Sequence, residues 1–391
     1  MESLIEFGRK KGRFIAFCLF LGLVVGMVES IFVSGVRLLT DLHLKMGSLF
    51  LWGLPVGALL TRWLIKNIGH DKQNIEQIFQ AEESAVHIPL RNAPLAISEA
   101  WISHLLGACT GRAGASLQLG SAIGSFLQKR IPVFSTGCSL TCGIAAALSC
   151  LFGCPIAAAF FAVEIFSRRW IELPYALLAS LMSYSVHLIF QIPSLRLSVL
   201  ESPSFSWGVL FKVFLCAVLF GLVGNLFARS LQWARSQIQK SERAIVLIIV
   251  LSLILMLLLM FIRNFRYIGT GEILLQAVFE GDLVFLSDWI WKAVLTILTS
   301  ACGFVGGEMT PMFSVGASLG VVCGPLVGLD PLVCAAIGML CVFGAGTHSI
   351  WGTAFFGIEI FGLWFVPLSL TAGLASCLTK GKWSVYRLNS K

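Results

Sequence analysis

The chain has 391 residues, of which 57% are hydrophobic and only 12% charged, with 28 basic against 20 acidic side chains. A soluble domain carries about 25% charged residues, so this composition excludes a soluble enzyme, a disordered protein and a secreted disulfide scaffold. The excess of 8 positive charges reads as basic cytoplasmic loops of a membrane protein and not as a nucleic-acid surface.

In chain order, a basic start (Arg9, Lys10, Lys11, Arg13) precedes an uncharged run from Phe14 to Val28. That order imitates a signal peptide. Glu29 and Arg37 follow without a small-residue cleavage site, however, so the run predicts the first membrane helix. A polar break, His70 to Gln80, contains Asn74 and Ile75, which nothing local makes special. Uncharged runs then recur: Ile131 to Val163, Val213 to Ala228, Ala244 to Ile262, Met309 to Leu329 and Pro331 to Ile358. A span needs about 20 apolar residues. Runs of such uneven length, cut by Gly and Pro, predict tilted, short and discontinuous helices in an all-α integral membrane protein. Basic residues collect at Arg168–Arg169, from Arg229 to Arg243, and at Lys380, Lys382, Arg387 and Lys391. Both ends are basic, which predicts a multi-pass protein of the cell membrane with both termini in the cytoplasm.

The chain carries an internal repeat. Residues 159–166 and 354–361 agree at six of eight positions at an offset of 195, and residues 114–124 and 310–320 share two glycines at an offset of 196. The offset is half the chain and predicts two membrane halves, 1–190 and 191–391. Duplicated halves with broken helices at matching positions place a transport site at the repeat interface. The 12 cysteines lie mostly in apolar stretches without a CxxC pair and read as small buried hydrophobes. Neither a metal nor a cofactor is expected.

Two segments open apolar runs with glycines, Thr110–Ser116 and Gly306–Pro311. Such helix starts offer free backbone N–H groups and a positive dipole end, which suits an anion; they also serve as packing points. Pro311 fits an early helical position. Glu308 lies between uncharged runs that start at Ala293 and end at Leu329. An acid at that depth is costly unless solvated, paired or protonated, so it is either a functional acid or one tied to backbone N–H groups at a helix start. Glu164 and Glu359 occupy equivalent repeat positions, and Arg168–Arg169 predict an interfacial ion pair for Glu164. His348 reads as a packing histidine, and Tyr386 alone as an interfacial anchor.

In this order the segments resemble the CLC family of anion channels and proton-coupled antiporters. Gly111-Arg-Ala-Gly114 resembles its GREGP motif. Cys154 to Glu164 resembles its APLAGILF…E helix, Gly306-Gly-Glu-Met-Thr-Pro311 its GGIFAP motif, and Lys380 to Tyr386 its last short helix with an anion-facing tyrosine. The family's GSGIP serine is missing, with Ile75 near its place. The internal proton-transfer glutamate of chloride antiporters is replaced by Ile165, and an acid, Glu308, stands inside the GGIFAP-like stretch. This combination is similar to the fluoride-exporting branch. The resemblance implies an inverted-repeat bundle, a homodimer with one pathway per subunit, and fluoride/proton antiport.

Fluoride is small and strongly hydrated, so its site must replace hydration with short donors. The expected donors are the backbone at Gly111, Arg112 and Gly114, the backbone at Met309 and Thr310 (Pro311 has no N–H), Tyr386 O–H and the Asn74 side chain, with Ile75 beside them. A protonated Glu308 would donate to fluoride, an ionised one would repel it, and Thr310 would steady the carboxyl. At Ala113 the family has a glutamate that gates and carries protons. The otherwise intact set favours an introduced substitution over natural degeneration. A methyl predicts impaired exchange, with any remaining fluoride movement uncoupled from protons. The alternatives are a CLC-type chloride channel or chloride/proton antiporter, and, from another class, a membrane enzyme or structural protein, for which no metal cluster, triad or phosphate loop argues. The short basic tail predicts no soluble regulatory domain. The expected partners are fluoride, protons, the bilayer and a second copy of the chain, and not nucleic acid.

Overall fold

The computed structural model describes residues 2–69, 75–84, 86–193, 197, 206–262, 265–304 and 306–386, and its regular elements are helical. The first half holds α1 (Glu2–Met46), α2 (Leu54–Asn67), α3 (Ile75–Ser84), α4 (Asn92–Leu105), α5 (Ala113–Arg130), α6 (Thr136–Phe152), α7 (Pro155–Ala162) and α8 (Leu173–Ile189). The second holds α9 (Trp207–Lys240), α10 (Ala244–Ile262), α11 (Glu272–Glu280), α12 (Asp288–Ala301), α13 (Met309–Val327), α14 (Pro331–Thr347), α15 (Trp351–Phe361) and α16 (Val366–Thr379).

Length decides which of these cross a bilayer. At about 1.5 Å per residue, a 30 Å hydrocarbon core needs about 20 residues. α10 has 19 and is apolar all round; Ile245, Leu257 and Phe261 stand on its outer surface, as a lipid-facing helix requires. The uncharged run Ile131–Val163 is instead broken into α6 and α7, and Pro331–Ile358 into α14 and α15. With 11 residues, α15 reaches only partway across. Each break has a local cause. α6 ends on Gly153 at φ +70°, and α14 ends on His348, the repeat equivalent, at φ +66°. His348 is therefore a helix terminator in a left-handed conformation that a non-glycine residue adopts at a cost. Pro155 then opens α7 at a position where a missing N–H is harmless.

The repeat is a packing device. α5 meets α6 where a side chain on Gly120 would strike the Gly143 carbonyl, and one on Gly143 would strike that of Gly120. α13 meets α14 in the same way through Gly316 and Gly338. Small residues let helix backbones touch where lipid gives no hydrophobic drive between helices.

Two sequence expectations are corrected. The first helix does not stop near Val28: α1 runs on through Glu29 and Arg37, because Glu29 finds a hydroxyl partner on α5 and Ser30 bonds back to Gly26 O at 2.7 Å. The basic cluster from Arg229 onward is not a loop either; α9 carries it to Lys240.

Candidate functional site

The starts of α5 and α13 meet in the protein interior. Gly111 N donates to Gly307 O at 2.6 Å, and Gly307 N donates to Gly111 O at 2.8 Å, an antiparallel bridge between the two glycine-rich segments. The approach requires glycine on both sides. A Cβ on Gly114 would strike Gly306 O, and one on Gly307 would land on the Gly114 and Ala113 amide nitrogens. Neither helix has a side-chain cap at its start, so the first-turn amides of Ala113, Gly114, Met309 and Thr310 have no intrahelical partner. The Gly111 amide, expected as an anion donor, is instead consumed by the bridge. The Arg112 guanidinium pairs with Glu272 at 2.8 Å.

Glu308 caps α13 by position and is 3% exposed. Its Oε1 is ion-paired with Arg235 of α9, and its Oε2 has no hydrogen-bond partner among the described residues. Thr310 was expected to hold this carboxyl. It does not: Thr310 Oγ1 is also unpartnered, and Arg235 does the holding. Arg235 Nε further donates to Ser300 Oγ at 2.7 Å. One turn earlier on α9, Gln232 Nε2 donates to the Ser384 and Val385 carbonyls at 2.8 Å each, and Val385 N donates to Gly346 O at 2.9 Å. These contacts take the backbone groups that a helix would have used, so Lys380–Tyr386 is irregular where a short helix was expected. They deliver Tyr386 into the interior at 4% exposure, its hydroxyl unpartnered and within electrostatic reach of Glu308 and Arg235. Tyr386 is thus no interfacial anchor.

Ile75 opens α3 and packs half-buried against the main core. Asn74 lies outside the described residues. The structure therefore brings together Ala113, Gly114, Glu308, Met309, Thr310 and Tyr386. It adds Arg235 and Gln232, which sequence reasoning missed. The available signal was their spacing of three within a basic run that continues an apolar helix, which puts one amide and one cation on a shared helical face.

The short helices α7 and α15 start differently. Glu359 accepts from Ile156 N at 3.0 Å and Ala157 N at 2.7 Å, at the start of α7. Glu164 accepts from Ile350 N at 2.8 Å, Gly352 N at 3.1 Å and Ser349 Oγ at 2.8 Å, at the start of α15. Each carboxylate caps the other half's helix. The ion pair expected for Glu164 is replaced by this cap, and Arg169 pairs with Glu172 at 2.8 Å.

Residues 52–380 match the family described as voltage gated chloride channel. A chloride/fluoride channel protein of Pseudomonas syringae pv. tomato is 28% identical over 351 residues, spanning 86% of this chain and 77% of that protein. The crystal structure of a CLC-type fluoride/proton antiporter superposes with a TM-score of 0.91 at 30% identity, covering 95% of this chain and 96% of that one. That of a slow cyanobacterial Cl−/H+ antiporter superposes at 0.81 with 17% identity over 96% of each, a likeness of fold. With the family pattern running over most of its length, and the starts of α5 and α13 meeting in its interior, the chain belongs to the CLC family of membrane anion transport proteins.

Proposed function

We propose that the chain is a fluoride/proton antiporter, with the anion held between the starts of α5 and α13. The observation that carries this reading is a set of three buried polar atoms beside those starts that have no partner among the described residues: Glu308 Oε2, Thr310 Oγ1 and the Tyr386 hydroxyl. Fluoride is compact and basic enough to accept short, strong hydrogen bonds, and this set offers them together with the first-turn amides. Glu308 supplies the proton dependence. With a proton on Oε2 it is a donor to the anion; ionised, it repels the anion and leans on Arg235. The likeness to a chloride/fluoride channel protein and to a CLC-type fluoride/proton antiporter supports the same substrate.

A methyl at Ala113 neither carries a proton nor fills an anion site, so exchange through that position is impaired. Each subunit of a homodimer carries one such pathway, the halves 1–190 and 191–391 form its two walls, and both termini face the cytoplasm.

The test is efflux from liposomes loaded with fluoride or chloride, followed with ion-selective electrodes, beside an Ala113→Glu version. Fluoride efflux at least tenfold above chloride, made proton-dependent by Ala113→Glu, is the expected result. Chloride efflux at a comparable rate replaces this reading with a chloride transporter, and silence for both anions removes it.

A further inference from the structure

Glu29 is an acid inside α1 with no exposed surface, in a helix apolar and long enough to cross a membrane. Its Oε1 accepts the Ser116 hydroxyl at 2.5 Å, while its Oε2 is buried without a partner among the described residues. Ser116 lies three residues after Ala113, on the same face of the first turn of α5. The carboxyl therefore reaches, from a different helix, the turn from which a glutamate side chain at position 113 would project. The cation within electrostatic reach is Arg112, already paired with Glu272. From α6 the Cys150 thiol faces the same region, and from α8 the His187 ring meets the Cys150 carbonyl at 2.7 Å. An acid so placed, with one oxygen held and one open, is costly in a membrane unless it is paired or holds a proton, and intramembrane acids of this kind serve as proton relays.

We propose that Glu29 is a proton carrier standing in for the missing carboxyl at position 113, so that fluoride movement in this chain keeps part of its proton coupling. This rests on the antiport reading above and departs from the uncoupling that Ala113 alone predicts. The cycle is balanced by one proton. The carboxylate takes up H+ from water on one side and becomes the neutral acid, whose Oε2–H turns toward the first turn of α5. Release of the same H+ to the other side restores the carboxylate. No other bond is made or broken. A purely structural role would need only an acceptor for Ser116, which an amide supplies equally well.

The experiment uses the full chain in liposomes, with fluoride and proton fluxes recorded together under an imposed pH gradient. The chain is expected to move fluoride against its own gradient at the expense of the proton gradient. Glu29→Gln lowers that driven component at least tenfold and leaves downhill fluoride flow within threefold. Glu29→Asp restores at least a third of it. In an Ala113→Glu background Glu29→Gln changes little, since the coupling carboxyl is back in its own place. Should Glu29→Gln fold poorly, Ser116→Ala serves instead: it removes the donor from Oε1 and moves the pH profile of coupled flux. Coupling unchanged in Glu29→Gln, or an unmoved profile in Ser116→Ala, overturns the proposal. If Ala113→Glu couples and the parent chain does not, Glu29 is not the carrier and the antiport reading survives. If neither moves fluoride, the antiport reading falls and this one with it.

Discussion

Among the described residues, two pairs of helix starts, one member from each half, are finished in opposite ways. At α7 and α15 a carboxylate from the other half sits on the first amides, Glu359 on Ile156 and Ala157 and Glu164 on Ile350 and Gly352. At α5 and α13 no side chain among the described residues caps the start. A backbone bridge holds the two together, and the unpartnered atoms of Glu308, Thr310 and Tyr386 surround them. A helix start attracts negative charge wherever it lies. When the protein supplies that charge itself, the start is a joint between the halves. At α5 and α13, among the described residues, no carboxylate from the other half reaches the first amides, and under the function proposed above these are left for the anion.

The comparison breaks most sharply at Gly307. A Cβ there lands on the Ala113 and Gly114 nitrogens, so Gly307→Ala must displace the first turn of α5 and cover its amides. Fluoride efflux is expected to fall at least a hundredfold, to the level of empty liposomes, with helical content by circular dichroism retained. Efflux within threefold of the parent means that these amides do not hold the anion.

Arg235 tests the electrostatics of the open pair. Glu308 has a side-chain exposure of 4% against 28% for Arg235, so Arg235→Ala leaves the more buried member unpaired. Breaking a buried pair costs about 3–5 kcal/mol; the partial exposure of Arg235 brings the expected loss to about 2–3 kcal/mol. Glu308→Gln in the same protein removes the stranded charge and is expected to recover most of it. Chemical unfolding in detergent measures both, and a double variant no more stable than Arg235→Ala alone contradicts the pairing.

Much of this architecture is readable in the sequence where the physics is local. The match between residues 159–166 and 354–361 places Glu164 and Glu359 in equivalent roles because both halves need the same cap. The glycine pairs Gly120 and Gly124, and Gly316 and Gly320, are legible because only glycine permits that helix contact. What escapes the sequence is contact across long separations. Arg235 and Glu308 are 73 residues apart, and Glu164 and Ile350 are 186 apart. No periodicity specifies such meetings. Position near Arg168 therefore suggests an ion pair for Glu164, and proximity in sequence suggests Thr310 for Glu308; in both cases a distant group with better geometry wins. A basic run after an apolar helix reads as loop because charge density marks interfaces, yet α9 continues and turns one cation inward.

Tyr386 separates binding from stability. Its buried hydroxyl has no partner among the described residues, so Tyr386→Phe removes an unsatisfied polar group, and stability is expected to hold or rise slightly. A hydrogen bond to a charged group contributes about 1.5–3 kcal/mol, so fluoride affinity by titration calorimetry is expected to weaken about tenfold or more. Lower stability with unchanged affinity would place the hydroxyl in the packing and take it out of the anion site.

Glu359→Gln has the smallest expected effect on transport and decides whether the two pairs of helix starts differ in kind. The amide is nearly the same size as the carboxylate, but it presents one acceptor oxygen where Ile156 and Ala157 now use two. It also removes the negative charge at the positive end of α7. Losing one charge-assisted bond and the dipole interaction costs about 1–3 kcal/mol, read as a lower unfolding temperature in detergent. Fluoride efflux is expected to stay within threefold of the parent, because this start is already filled and offers nothing to a mobile anion. The opposite pattern, efflux down more than tenfold with stability intact, would make the α7 start part of the ion path and Glu359 a group that yields its place to the anion. The distinction between joint and binding site would then be one of occupancy during the cycle, and Glu164 at α15 would have to behave the same way.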